Sequence, residues 1–334
     1  MTTSILPVSA AALTTACAAL KTGKLVGFAT ETVYGLGADA SNADAVAAIY
    51  AAKDRPHHNP LICHLANCNQ AFLHGIETPV ARQLADAFWP GPMTLVLEKH
   101  PESPVCNMAT AGLDSIALRV PGQASARALL QQVNLPIAAP SANRSGRISP
   151  TRASHVREEL GDCDQLVLIL DDGDCSCGLE STVIDVRAGQ PQILRPGAIT
   201  AEMINTVLNE AETTTASAST SDTEADRITR SPGMMDRHYA PTTPLIMDCQ
   251  SPTPDDAWLG FGSEPIFSQT SGPRLNLSPD GDLDEAAARL FSLLRQLDKA
   301  GTRRICVAPI PHHGIGIAIN DRLRRAALGS TRDN

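Results

Sequence analysis

The chain has 334 residues, 43% of them hydrophobic, and a formal charge of −9. That length points to two domains and the composition to packed cores, while no apolar run approaches the roughly 20 residues of a membrane span. So acidic a chain lacks the surplus of Lys and Arg that a broad nucleic-acid footprint requires; a small anionic ligand in a focused pocket suits it better.

The alanine-rich N-terminal stretch has no basic leading segment. It reads as an amphipathic helix near Ala10 to Lys21, not as a signal peptide. Leu25 to Ala29 is an apolar run of strand length. It leads into Thr30-Glu31-Thr32-Val33-Tyr34-Gly35-Leu36-Gly37, read as one turn dense in hydroxyls and glycines. A short helix is expected from Asn42 to Ala52, with Ser41 or Asn42 as N-cap. Pro56 disfavours helix at the residue before it, which closes the element near Lys53 to Arg55.

Asn59 to His64 begins another strand. Further strands are expected at Thr94 to Lys99, Ser115 to Val120, Leu135 to Ala139, Gln165 to Leu170 and Ser181 to Val186. Helical patterns fall near Val80 to Phe88, Ala124 to Val133 and Arg152 to Leu160. Ala211 to Asp226 contains no large apolar residue and reads as a flexible linker. Beyond it, strands at Pro244 to Cys249, Ala257 to Phe261 and Arg304 to Pro309 alternate with helices at Leu283 to Ala300 and Ile317 to Leu328. That alternation predicts a small parallel, Rossmann-like sheet. The expected division is a large mixed α/β domain over 1–210, a linker segment over 211–243 and a small α/β domain over 244–334.

Nine cysteines without a repeating spacing suggest free thiols in a reducing cytoplasm. Cys163, Cys175 and Cys177 cluster loosely, but no second pair completes a zinc template. His312-His313 reads as a loop pair.

Four segments carry chemistry. Gly35-Leu36-Gly37 lacks the third glycine of a dinucleotide fingerprint and the Gly-Lys-Ser/Thr of a P-loop, yet Lys53 and Arg55 close the next helix. Pro140-Ser141-Ala142-Asn143-Arg144-Ser145-Gly146 follows an apolar strand, where ligands of open α/β sheets gather, although a simple Ser/Asn turn fits as well. In the alternating strand from Ser115, Arg119 faces the same way as Ala117 and Ser115; buried there it needs a partner, and a carboxylate is its natural one. Glu180-Ser181-Thr182 and Leu194-Arg195-Pro196-Gly197 supply a further hydroxyl pair and arginine. No GxSxG elbow or HExxH helix is present. Cations, hydroxyls and amides dominate, with Glu31 and Asp185 among few carboxylates. Such a set orients charged substrates and stabilises phosphate charge, as nucleotidyl transfer requires.

In order, TETVYGLG, KDRPHHNPLICH, SIALRVP, PSANRSG, GLESTVIDV and ILRPG resemble the YrdC-like family, whose hallmark Lys-x-Arg and Ser-x-Asn elements are here Lys53/Arg55 and Ser141/Asn143. The segment from Ser231 to Pro241 resembles the linker motif of that family's two-domain form, departing from it at Met235-Asp236. The resemblance implies an α/β fold: a large twisted mixed-sheet catalytic domain with a deep, positive concave surface, plus a smaller Rossmann-like C-terminal domain. It also implies synthesis of threonylcarbamoyl-AMP from L-threonine, bicarbonate and ATP, with pyrophosphate released.

By motif matching, Thr32, His64, Arg119 and Ser181 line a threonine site, Arg119 pairing the amino-acid carboxylate. Arg55, Asn59, Ser115, Ser141, Asn143, Ser149 and Arg195 hold ATP, joined by His238 and Tyr239 of a lid. Lys53 and Arg55 are the catalytic cations beside the phosphates, and Mg2+ enters with ATP without an assigned protein ligand. The product passes to the transferase complex that modifies a tRNA adenosine next to the anticodon, a weak tRNA contact remaining open. No membrane is involved, and the cytoplasm is the expected location. A carbamoyl-adenylate-forming carbamoyltransferase module and a non-catalytic RNA-binding module are the alternatives.

Overall fold

The computed structural model describes residues 3–188, 190–208, 214–215, 238–250, 252–263 and 272–330. Most of the expected linker, and the lid motif up to residue 237, lie outside them. The described residues form two compact units. The first holds the chain to Ser145, Pro150–Cys175 and the stretch from Glu180 to residue 215; the second holds Gly146–Ser149, Ser176–Leu179 and 238–330.

The first unit begins β1 (Ser4–Pro7), α1 (Ala10–Lys21), β2 (Leu25–Ala29), β3 (Tyr34–Asp39), α2 (Ala43–Lys53), β4 (Ile62–His64) and α3 (Cys68–Ala71). It continues α4 (Pro79–Phe88), β5 (Met93–Glu98), β6 (Ser115–Arg119), α5 (Ala124–Val133), β7 (Ile137–Ala138) and α6 (Ala153–Leu160). Last come β8 (Leu166–Asp171), β9 (Thr182–Asp185), β10 (Gln192–Arg195), α7 (Ala201–Leu208) and β11 (Thr214–Thr215). All eleven strands form one mixed sheet, in the order β1-β8-β2-β3-β7-β4-β6-β5-β9-β10-β11.

Alternation along the strands divides the core between two faces. Val26 and Phe28 of β2, Ile137 of β7 and Leu168 and Leu170 of β8 pack with Ala16 and Leu20 of α1 and Leu129 and Val133 of α5. Their sequence neighbours, such as Leu25, Ala138 and Ile169, join the larger core on the other face with α2, α4 and α6. Further along the sheet Ile62, Val96, Ala117, Val183 and Leu194 make a small cluster of strand residues alone. Register places this cluster on the α1/α5 face: Ile62 lies opposite Ala117, which lies opposite Val96, and His64 lies opposite Ile137.

One expectation fails here. The segment from Thr30 to Gly37 is not a single turn: only Thr30–Val33 turns, and Tyr34–Asp39 returns antiparallel to β2 as strand β3. The glycines serve packing, since a Cβ on Gly37 would stand 2.7 Å from Phe28 Cε1 and 3.1 Å from Ile137 Cγ2. Helix α2 follows as expected, with the Asn42 side chain accepting from Asp44 N and Ala45 N and the left-handed Asp54 (φ 50°) closing it.

The second unit is built on β12 (Leu245–Ile246), β13 (Ala257–Gly260), β14 (Arg274–Asn276), α8 (Leu283–Asp298), β15 (Ile305–Val307) and α9 (Gly316–Ser330). Its four strands, ordered β12-β15-β13-β14, are all parallel. Asp282 caps α8 by accepting from Asp284 N and Glu285 N. Buried Asp256 takes both Nε and Nη2 of Arg304, at 2.9 and 3.0 Å.

Candidate active site

The polar side chains of the first unit gather where the α1/α5 face carries only the small strand cluster. Strand β6 puts Ser115, Ala117 and Arg119 on that face by their period of two. Strand β4 sets His64 opposite Arg119, and the antiparallel register carries Thr94 of β5 beside it. Thr94 Oγ1 lies 2.8 Å from Ser181 Oγ. Arg195 in turn donates from Nη2 to the Ser181 main-chain oxygen at 2.9 Å and to Ser181 Oγ at 3.1 Å. Arg119, His64, Thr94, Ser181 and Arg195 are therefore linked by register or by hydrogen bonds.

Arg119 is buried at the end of β6. Its Nη1 donates to Thr32 Oγ1 at 2.9 Å, its Nη2 to Glu31 Oε1 at 2.6 Å and its Nε to the Gly91 carbonyl at 3.4 Å. The carboxylate partner that a buried strand arginine requires is thus Glu31. Burial by itself would raise the Glu31 carboxyl; the charge of Arg119 and the hydrogen bond from the Gly122 amide outweigh it and hold the group below its ordinary value. His64 goes the other way: burial, reinforced by the Arg119 charge, pushes its imidazole down to about 3. It is neutral at physiological pH and offers hydrogen bonding, not charge.

A second group surrounds the loop after β7. The Lys53 ammonium donates to the main-chain oxygens of Ser141, at 2.5 Å, and Asn143, while Ser145 N donates to the Lys53 carbonyl at 2.7 Å. Burial and the neighbouring Arg55 press the Lys53 ammonium well below its ordinary range, against the pull of Glu159 and Glu180. Ser141 also bridges to Gly35 at the start of β3, so the hairpin, the end of α2 and this loop are one cross-bonded assembly. Arg55 donates from Nε to the Asn59 carbonyl at 3.2 Å and from Nη2 to the Pro60 carbonyl at 2.9 Å. Asn59 Oδ1 is buried with no hydrogen-bond partner among the described residues. Such an acceptor is open to a donor from a bound water or a ligand.

Ser149, His238 and Tyr239 belong to the second unit. There the Tyr239 ring stacks on Phe291 at 5.5 Å and lies under the Arg322 guanidinium, also in that unit. His238 N donates to the Arg325 carbonyl at 3.4 Å. Thr94 was missed from the sequence, and Glu31 was noted there without a role. The signal for Thr94 is its hydroxyl in an otherwise apolar strand, in phase with Val96 of the small cluster. Among the described residues no three His, Cys, Asp or Glu side chains gather as a metal cage.

Residues 18–197 match the family described as Sua5_yciO_yrdC, telomere recombination, more than half of the chain. The chain belongs to the Sua5/YrdC family. Residues 199–328 match the threonylcarbamoyl-AMP synthase C-terminal domain, so the Sua5 form with both domains is present. Among its relatives, the threonylcarbamoyl-AMP synthase of Pyrococcus abyssi is 39% identical, covering 92% of each chain. That of Bacillus subtilis is also 39% identical, covering 94% of this chain and 92% of its own. The crystal structure of P. abyssi Sua5 complexed with L-threonine superimposes with a TM-score of 0.84 at 36% identity, over 98% of each chain.

Proposed function

We propose that this protein is a threonylcarbamoyl-AMP synthase, which joins L-threonine, bicarbonate and ATP into threonylcarbamoyl-adenylate and releases pyrophosphate. The observation that carries the reading is the polar end of one sheet face, Arg119 with Thr32, His64 and Ser181, in a Sua5 chain whose P. abyssi relative was crystallised with L-threonine. Arg119 takes the substrate carboxylate and the hydroxyls of Thr32 and Ser181 orient the remainder. A neutral His64 beside them adds no charge that would repel the substrate amine.

The amine captures CO2 or bicarbonate as a carbamate, whose oxygen attacks the α-phosphate. No protein nucleophile is required; rate comes from holding the reactants together and from stabilising charge. Arg55, Asn59, Ser115, Ser141, Asn143 and Arg195 of the first unit are assigned to ATP. Lys53 supports the phosphate side by fixing the carbonyls of Ser141 and Asn143. Mg2+ would enter with the triphosphate and neutralise phosphate charge there, with no protein side chain assigned as its ligand.

The adenylate is then consumed by a tRNA threonylcarbamoyl transferase complex. No helix among the described residues is long and apolar enough to cross a membrane. None of the nine cysteines is joined in a disulfide, which suits a reducing cytoplasm. Incubation with labelled bicarbonate, ATP and L-threonine tests the reading. Label is expected in an adenylate that contains threonine; label in an adenylate formed without threonine contradicts it.

A further inference from the structure

Glu31 is the one carboxylate that touches Arg119 among the described residues, and it is held on both oxygens. Oε1 takes Arg119 Nη2 at 2.6 Å, and Oε2 accepts from Gln123 N, the N-cap of α5, at 3.2 Å. The Gln123 side chain donates to Asp172 Oδ2, which also accepts from Ser125 Oγ at 2.6 Å. Gly122 lies so close that a Cβ there would stand 3.2 Å from Glu31 Cδ. The turn that carries Glu31 is fixed as well, with Thr30 Oγ1 donating to the Val33 carbonyl at 2.6 Å. A carboxylate anchored in this way sets the plane of the guanidinium it binds.

Arg119 has five N–H donors. Three are engaged, by Gly91 O, Thr32 Oγ1 and Glu31 Oε1, which leaves one on Nη1 and one on Nη2. A buried ion pair is seldom more stabilising than an apolar pair of similar volume, so orientation is the better reason for this one. We propose that Glu31 is the positioning residue of the amino-acid pocket, aligning Arg119 so that its two remaining N–H groups meet the substrate carboxylate together. The proposal rests on the assignment of Arg119 to that carboxylate.

Steady-state pyrophosphate release by Glu31→Gln, Arg119→Gln and the double variant tests it. The double variant replaces both charges with amides and leaves neither ion buried alone. Arg119→Gln is expected to raise the threonine KM by about 30-fold or more, the loss of a charged, two-point contact. Glu31→Gln should raise the threonine KM about tenfold and leave the ATP KM within about twofold, the split expected of lost alignment in one subsite. Added to Arg119→Gln, it should change the threonine KM by less than about twofold, because nothing remains to align. Should Glu31→Gln not fold, Glu31→Asp, which keeps the charge and shortens the reach, carries the same expectation. Equal changes in both KM values, an effect on kcat alone, or independent effects that multiply in the double variant would overturn the proposal. An unchanged threonine KM in Arg119→Gln would instead overturn the assignment of Arg119.

Discussion

Lys53 Nζ and the main-chain oxygen of Ser141 lie 2.5 Å apart, joining the last residue of α2 to the loop after β7. The two halves of the family's hallmark, the Lys-x-Arg and the Ser-x-Asn, are therefore bonded directly to each other. Lys53→Met should destabilise the protein by about 2–4 kcal/mol, because two main-chain carbonyls lose their buried donor. Urea unfolding reads this. A variant as stable as the parent would mean that the ammonium does not hold the loop.

Thr94→Val tests the hydroxyl pair. Ser181 loses the partner at 2.8 Å, and a lost neutral hydrogen bond of about 1 kcal/mol corresponds to about fivefold. The threonine KM should rise by that factor with the ATP KM unmoved. No change in either constant would remove Thr94 from the site.

Stability should fall as the solution is acidified from pH 6.5 towards 4.5. The unfolded chain protonates His64 near 6.5, whereas the folded protein resists until about 3, so the unfolded state binds more protons throughout that window. One such group contributes at most about 1.4 kcal/mol per pH unit. His74, lowered by burial, acts in the same direction. The contribution of Glu31, whose carboxyl is held below its ordinary value, is lost only at lower pH. His64→Gln should therefore flatten the slope between pH 6.5 and 5.5 without abolishing it; an unaltered slope would place the titration elsewhere.

Gly37→Ala should cost about 1–3 kcal/mol, the usual result of overpacking, because Phe28 and Ile137 already fill the place of the new methyl. Thermal or urea unfolding gives the value. Parent-like stability would show that the hairpin can spread at no cost.

The long periodic elements were legible in the sequence because burial pattern and caps agree: α1 spans Ala10–Lys21 as expected, and α2 starts at Ala43 behind its N-cap Asn42 and ends at Lys53, before Pro56. Strand β3 was not, since its glycines resemble a turn until the ring of Phe28 is seen against them. One-turn α3 and three-residue β14 are too short to carry a period. Helix α7 fell between the last expected strand and the linker. Arg119 announced its need for a carboxylate, but a partner 88 positions away is set by the fold and has no local signal.

The central claim is most directly tested by pyrophosphate release from ATP, with bicarbonate present and L-threonine added, withheld or replaced by L-serine. Release that requires threonine and drops sharply with serine is the predicted result. Release indifferent to threonine, or none with all three substrates present, would contradict it.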